Sequence, residues 1–385
     1  MSEYQYYEFA ALDKALDDRQ QAELRAISTR AMITSTSFVN TYEWGDLKAD
    51  PRRLVERYFD AFLYLANWGT HRLTLRVPAA LLDEQTAASY CMGDCASAWT
   101  SAEHTVIDLL AEDEEGVFEE DWSYGAGEGR LASIVPARTD LICGDRRLLY
   151  LAWLLCVQAG EVADDDVEPP VPPHLDQLNA SLRSAAIFLR IDEDLIAIAA
   201  SAAPEDCDDA TPSTHLRSWL ETVSEPDKDE ILLRVALDDA QLVRAELLAR
   251  YRGSAPRPDP DDGVRRTAGD LLTQAQVRRD ARERAAQQRR AQQAAVRNRA
   301  TAAAREKRFD TLANQQEQVW HRVDQLVATR KPVDYDTAVA LLSDLRDVSG
   351  REDQIEAYEL RVAHLRQTHQ RKTTFIDRLD RSGPN

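Results

Sequence analysis

Apolar positions in the first part of the chain follow two rhythms. Tyr4 to Phe9 is aromatic-rich and predicts a strand, whereas Asp17 to Ile27, with Leu24 and Ile27 three apart, predicts a short helix. Ile33 to Trp44 is rich in Thr, Phe, Val and Tyr, the composition of a pleated half-buried surface, and predicts a second strand. Asp50-Pro51 offers a helix cap followed by proline at the first position. Leu54, Tyr58, Phe62 and Leu65 then recur at helical spacing, which predicts a helix running through residue 65. Arg72 to Val77 alternates polar and apolar residues before Pro78, and two further candidate strands flank the acidic stretch Glu112 to Asp121. Residues 1–140 therefore read as an α+β head.

From Leu141 onward the pattern is helical, through the apolar run Leu148 to Val157 and then Leu175, Leu178, Leu182, Ile187 and Leu195. The intervening run Asp164 to Pro173 holds four prolines, which fix φ and remove donors, so it reads as an extended connector. Leu216 to Leu220 and Ile231 to Tyr251 complete a helical middle domain, residues 141–252. Residues 253–263, rich in Pro and Asp, read as a linker. Residues 264–330 contain no proline and predict one long basic helix, coiled-coil-like in length. Between Arg278 and Arg308 almost every apolar residue is alanine, so that stretch lacks a Leu-type seam. Phe309, Leu312, Val319, Val323 and Leu326 keep a three-four spacing in the second half, and Lys331-Pro332 ends it. Residues 331–385 read as a C-terminal helical tail, a short helical hairpin broken near Gly350 and Thr373. The fold class predicted is an α+β head followed by mostly α structure.

Charge sharpens this division. The 385 residues carry a formal net charge of -20, but residues 264–385 hold 24 basic against 17 acidic side chains, +7, which leaves -27 on residues 1–263. An acidic head repels phosphate backbones, and the basic segment is the part suited to them or to an acidic protein surface. On a 100° wheel, Arg278, Arg279, Arg282, Arg289, Arg290, Arg297, Lys307 and Arg308 fall within one sector of about 120°, whereas Arg284, Arg299 and Arg305 lie outside it. This stripe is the candidate partner-binding surface. It lacks the interleaved aromatics that stack on single-stranded bases.

Five cysteines and an amino terminus, Met1-Ser2-Glu3-Tyr4, without a basic start and apolar stretch predict reduced thiols and a cytoplasmic location. The apolar runs reach about ten residues, short of the roughly 18–20 that span a bilayer, so no membrane is expected. Cys91 and Cys95 form half of a zinc-type pair, but no second Cys/His pair follows and His104 stands alone, so ordinary buried thiols without metal are expected.

Lys331-Pro332-x-x-Tyr335-x-x-Ala338-Val339-x-Leu341-Leu342-x-Asp344-Leu345-Arg346, followed by His369-x-Arg371-Lys372 and Arg378-Leu379-Asp380, resembles the helical tail of bacterial SWIM-type zinc-finger proteins. The resemblance covers about 55 residues. Tyr6-Tyr7-Glu8-Phe9 and Tyr58 to Leu65 are similar to bacterial proteins associated with such SWIM proteins and with helicase-type ATPases. The resemblance implies a SWIM zinc-finger or helicase-type ATPase as partner. The Cys-x-Cys and Cys-x-His pairs of the finger are absent, so its zinc and DNA-binding roles do not transfer.

Phosphate-binding loops, His-Glu-x-x-His and Gly-x-Ser-x-Gly are absent, and no cofactor is implied. The acidic runs Glu112 to Glu115 and Asp164 to Asp166 lack the spacing of a calcium loop and read as solvated surface. The sequence thus predicts a non-enzymatic cytoplasmic adaptor or accessory subunit with no catalytic or metal residues. The rival readings are an accessory protein that contacts nucleic acid through the basic arm, and an enzyme using the neighbours Asp94, Glu103 and His104.

Overall fold

The structure is a computed structural model that describes residues 4–112, 127–204, 213–237 and 265–382, with positions 243, 244, 246–248, 250 and 251 between them. It divides into two compact units, Met1–Ala281 and Arg282–Asn385.

In the first unit, local chemistry sets the early elements. Strand β1 (Gln5–Ala10) is followed by helix α1 (Asp18–Ile27), where the Asp17 carboxylate accepts the Gln20 N–H at 2.8 Å and Gln20 Oε1 accepts the Asp17 N–H at 2.9 Å. These reciprocal bonds satisfy two of the donors that a helix start leaves open. Strands β2 (Met32–Ile33) and β3 (Ser37–Tyr42) come next, then helix α2 (Pro51–Tyr58), which begins at the Asp50-Pro51 cap.

The predicted continuation of that helix to Leu65 is incorrect. Helix α2 stops at Tyr58, and Ala61–Ala66 is strand β4, paired antiparallel to β1 on one side and to β5 (His71–Pro78) on the other. A central strand packed on both faces is a continuous apolar run, and Phe62 and Leu65 within it imitate helical spacing. Helix α3 (Glu84–Ala88) precedes β6 (Ala96–Ser101) and β7 (His104–Ala111), which complete an antiparallel sheet of order β2-β3-β1-β4-β5-β7-β6. Strand β7 is the one expected before the acidic stretch. No strand follows that stretch among the described residues, where Arg130–Ile142 is helical; residues 113–126 and the linker at 253–263 lie outside them.

Alternation along the strands builds two cores. Phe9, Phe38 and Phe62 point to one face, where they join Val55 and Phe59. Tyr6, Leu63, Leu73, Leu75 and Leu109 point to the other, beneath α4 (Arg130–Ile142) and α5 (Arg147–Gln158). All ten residues of Leu148–Val157 are buried, so α5 is a core helix with no solvent face. Helices α6 (Ala180–Phe188) and α7 (Glu193–Ala200) join the same cluster, which crosses residue 140 without a break. Helices α8 (Ser213–Thr222) and α9 (Glu225–Ala236) follow.

A buried ionic group ties α4 to the sheet. Arg76 reaches Asp60 at 2.7 Å and Arg138 reaches Asp13 at 2.5 Å, while the Leu12 and Asp13 amides donate to Asp60. The Asp60, Arg76 and Arg138 side chains are only 1%, 15% and 5% exposed. Burial pushes the Asp60 carboxyl up, but the Asp13 amide, Arg138 and Arg76 outweigh it and hold the group below the usual carboxylate range.

Helix α10 (Ala268–Asn314) starts in the first unit, where Ala268, Leu271 and Ala275 enter the core. Thr267 and Asp270 cap it reciprocally, and the Ala268 and Gly269 amides donate to the carbonyls of Asp166 and Asp164. The acidic run 164–166 thus fastens the arm's root through backbone carbonyls, while the Asp164 and Asp165 side chains are exposed, as solvated surface is.

The second unit takes in the rest of α10. The expected single helix over 264–330 is interrupted at Gln315, where φ is -124°, and resumes as α11 (Gln316–Ala328). Beyond the break, Trp320, Val323 and Val327 enter a core with α12 (Pro332–Arg351), α13 (Ile355–Thr368) and α14 (Thr373–Arg381). Tyr335, Leu342, Tyr358, Phe375 and Leu379 fill that core. Among the described residues, no helix is long and apolar enough to cross a membrane.

Candidate functional site

The basic stripe divides into three parts. At the root, Arg278 Nε lies 3.1 Å from Asp194 and Arg279 pairs with Asp192, both carboxylates belonging to the first turn and cap of α7. Asp194 is 2% exposed, and Asp192 caps α7 by accepting the Asp194 amide at 2.9 Å. Within the second unit, Arg308 pairs with Asp344 of α12. Between these ends Arg289, Arg290, Arg297 and Lys307 are exposed. Residues 287–304 are exposed on every face of the helix, Val296 included. The missing Leu seam explains this, because alanine and glutamine offer little area to bury. Among the described residues, Arg289 Nε donates to the Ala285 carbonyl of its own helix at 3.3 Å, a long bond in an exposed setting.

Asp94, Glu103 and His104 are not brought together. Asp94 precedes β6 and the other two follow it, so the six-residue strand separates them by roughly 20 Å at 3.4 Å per residue. Burial and the Arg76 charge lower the His104 pKa.

A second grouping was not anticipated. Cys91 and Cys95 are both buried at the ends of the loop between α3 and β6, and the neighbour of Cys95 is Cys156, in the last turn of α5. Cys95 Sγ, Cys156 Sγ and a Glu161 carboxylate oxygen all lie within 4.8 Å of one another. The Cys95 amide donates to Glu161 Oε2 at 2.9 Å. Gly93, at φ +100°, makes this approach feasible, since a Cβ there would sit 2.2 Å from the same oxygen. The Cys95 thiol is raised by its hydrogen bond to Cys156, by burial and by the Glu161 charge. Cys156 is lowered, first by that hydrogen bond and, against burial, by the Met92 amide. Burial pushes the Cys91 thiol up to about 12. Cys143 is half-buried, and Cys207 lies outside the described residues.

No protein-family model, curated protein or solved structure matches this chain.

Proposed function

We propose that the chain is a non-enzymatic cytoplasmic adaptor that docks an acidic protein surface on the exposed middle of α10. The observation that carries this reading is the use of the stripe's root: Arg278 and Arg279 already pair with the carboxylates of Asp194 and Asp192 at the start of α7, while Arg289, Arg290 and Arg297 continue the same stripe into solvent. Arginine forks fit carboxylates in two-point geometry, and an exposed helical face is a common docking element. The head's charge of -27 opposes a polyanion near the arm and favours a protein partner. The resemblance of the tail to SWIM-type proteins nominates a SWIM zinc-finger or helicase-type ATPase as that partner.

Intact protein carrying a cross-linker within 287–304 should capture the same partner before and after nuclease treatment. Replacing Arg289, Arg290 and Arg297 with Gln should abolish that capture. Capture lost on nuclease treatment, together with tight duplex binding by purified protein near physiological salt, would make the arm a nucleic-acid contact instead. In that case the triple variant would make the salt slope shallower by about three units.

A further inference from the structure

The geometry points to a zinc-type cation site in the first unit, and we infer that Cys95, Cys156 and Glu161 are its three protein ligands. Their donor atoms converge within 4.8 Å. Zinc bound to sulfur at about 2.3 Å and to carboxylate oxygen at about 2.0–2.2 Å sets its tetrahedral ligands roughly 3.5–4 Å apart, so small side-chain adjustments close the site.

The backbone is arranged for this convergence. The loop Cys91–Cys95 turns at Gly93 with a positive φ, and the space above it is filled by Glu161 Oε2, which also accepts the Cys95 amide at 2.9 Å. On the helix side, Gly160 turns at φ +74° and the Glu161 amide donates to the Cys156 carbonyl at 3.0 Å. The turn thereby returns Glu161 toward the thiol five positions earlier. Two segments far apart in sequence thus present two sulfurs and a carboxylate to one point.

Charge separates a cation site from a redox pair of thiols. Reactive dithiols sit at helix N-termini or beside cations, which stabilise thiolate. Cys156 sits instead at the C-terminal end of α5, where the helix presents partial negative charge, and the Glu161 carboxylate adds a full one. Two sulfurs and a carboxylate gathered at a negative helix end suit a cation among them. Sulfur donors select zinc over magnesium or calcium. The thiols are buried and Glu161 is exposed, which gives the ion an entry path. Three protein ligands leave one tetrahedral position for water, and Cys91, in the same loop, lies outside the convergent set. The ligands thus come from two distant segments and not from the short-range second pair whose absence predicts ordinary thiols.

The test is cobalt titration of full-length protein, reduced and stripped of metal, followed by zinc displacement. Wild type should develop sulfur-to-cobalt charge-transfer absorption and tetrahedral d–d bands that saturate near one equivalent and vanish on adding zinc. Cys95→Ser and Cys156→Ser should each lose most of the charge-transfer band. Glu161→Gln changes an exposed side chain and so leaves the core intact; it should weaken cobalt binding about ten-fold or more. Cys143→Ser should bind as wild type does. A wild-type protein without the charge-transfer band, or a Glu161→Gln variant binding as tightly as wild type, overturns the inference. So does a protein that takes up no cobalt when reduced but forms a Cys95–Cys156 disulfide in air.

Discussion

Arginine serves opposite ends in two regions of this molecule. In the head, Arg76 and Arg138 are buried against Asp60 and Asp13 and lock α4 onto the sheet. On the arm, Arg289, Arg290 and Arg297 project from a helix exposed all round. The difference lies in the surroundings. The head takes its guanidinium groups largely out of water, so each charge needs a fixed partner, whereas the Ala/Gln arm cannot bury its arginines and leaves them for a binding partner. Burial turns a charge into a structural pin, and exposure keeps it available.

The largest effect should follow from breaking the head's group. Asp60→Asn leaves Arg76 and Arg138 buried with reduced compensation and should cost about 3–5 kcal/mol by urea unfolding at neutral pH. Because the folded Asp60 carboxyl titrates below its unfolded value of about 3.9, its contribution is present above that value and fades as pH falls through the folded one. The gap between wild type and variant should therefore narrow in acid. A gap constant down to the lowest accessible pH would contradict the assignment.

A smaller effect is expected at the arm's root. Arg278→Gln removes a half-exposed partner from the buried Asp194 and should cost about 1–2 kcal/mol. Loss of no stability would mean that the root pair is incidental. The smallest effect belongs to the exposed middle, where replacing Arg289, Arg290 and Arg297 with Gln should alter stability by no more than about 0.5 kcal/mol. A large loss there would show that these arginines hold the fold together and that the contrast between head and arm is false.

Local signals were legible in the sequence, and signals that depend on distant neighbours were not. Asp17 and Asp50 mark helix starts because a cap acts within three residues. Strand β4 was misread because burial on both faces erases the alternation that identifies a strand. The stripe could be read from helical spacing, yet its division into anchored and exposed parts depends on Asp192 and Asp194, which only folding brings near. The site at Cys95 was hidden for the same reason: Glu161 is 66 positions away, and a search for nearby pairs finds only Cys91. Gly93 was the available clue, since a glycine between two cysteines permits a close approach from elsewhere in the chain.

The docking role of the arm is tested most directly by amide hydrogen exchange across 287–304, measured in the intact protein alone and in its captured complex. An exposed helix without packing should exchange quickly when alone. Strong protection confined to that stretch is expected in the complex, and none in the Arg289, Arg290 and Arg297 triple variant. Slow exchange in the protein alone, or protection in the complex that leaves 287–304 unchanged, would contradict it.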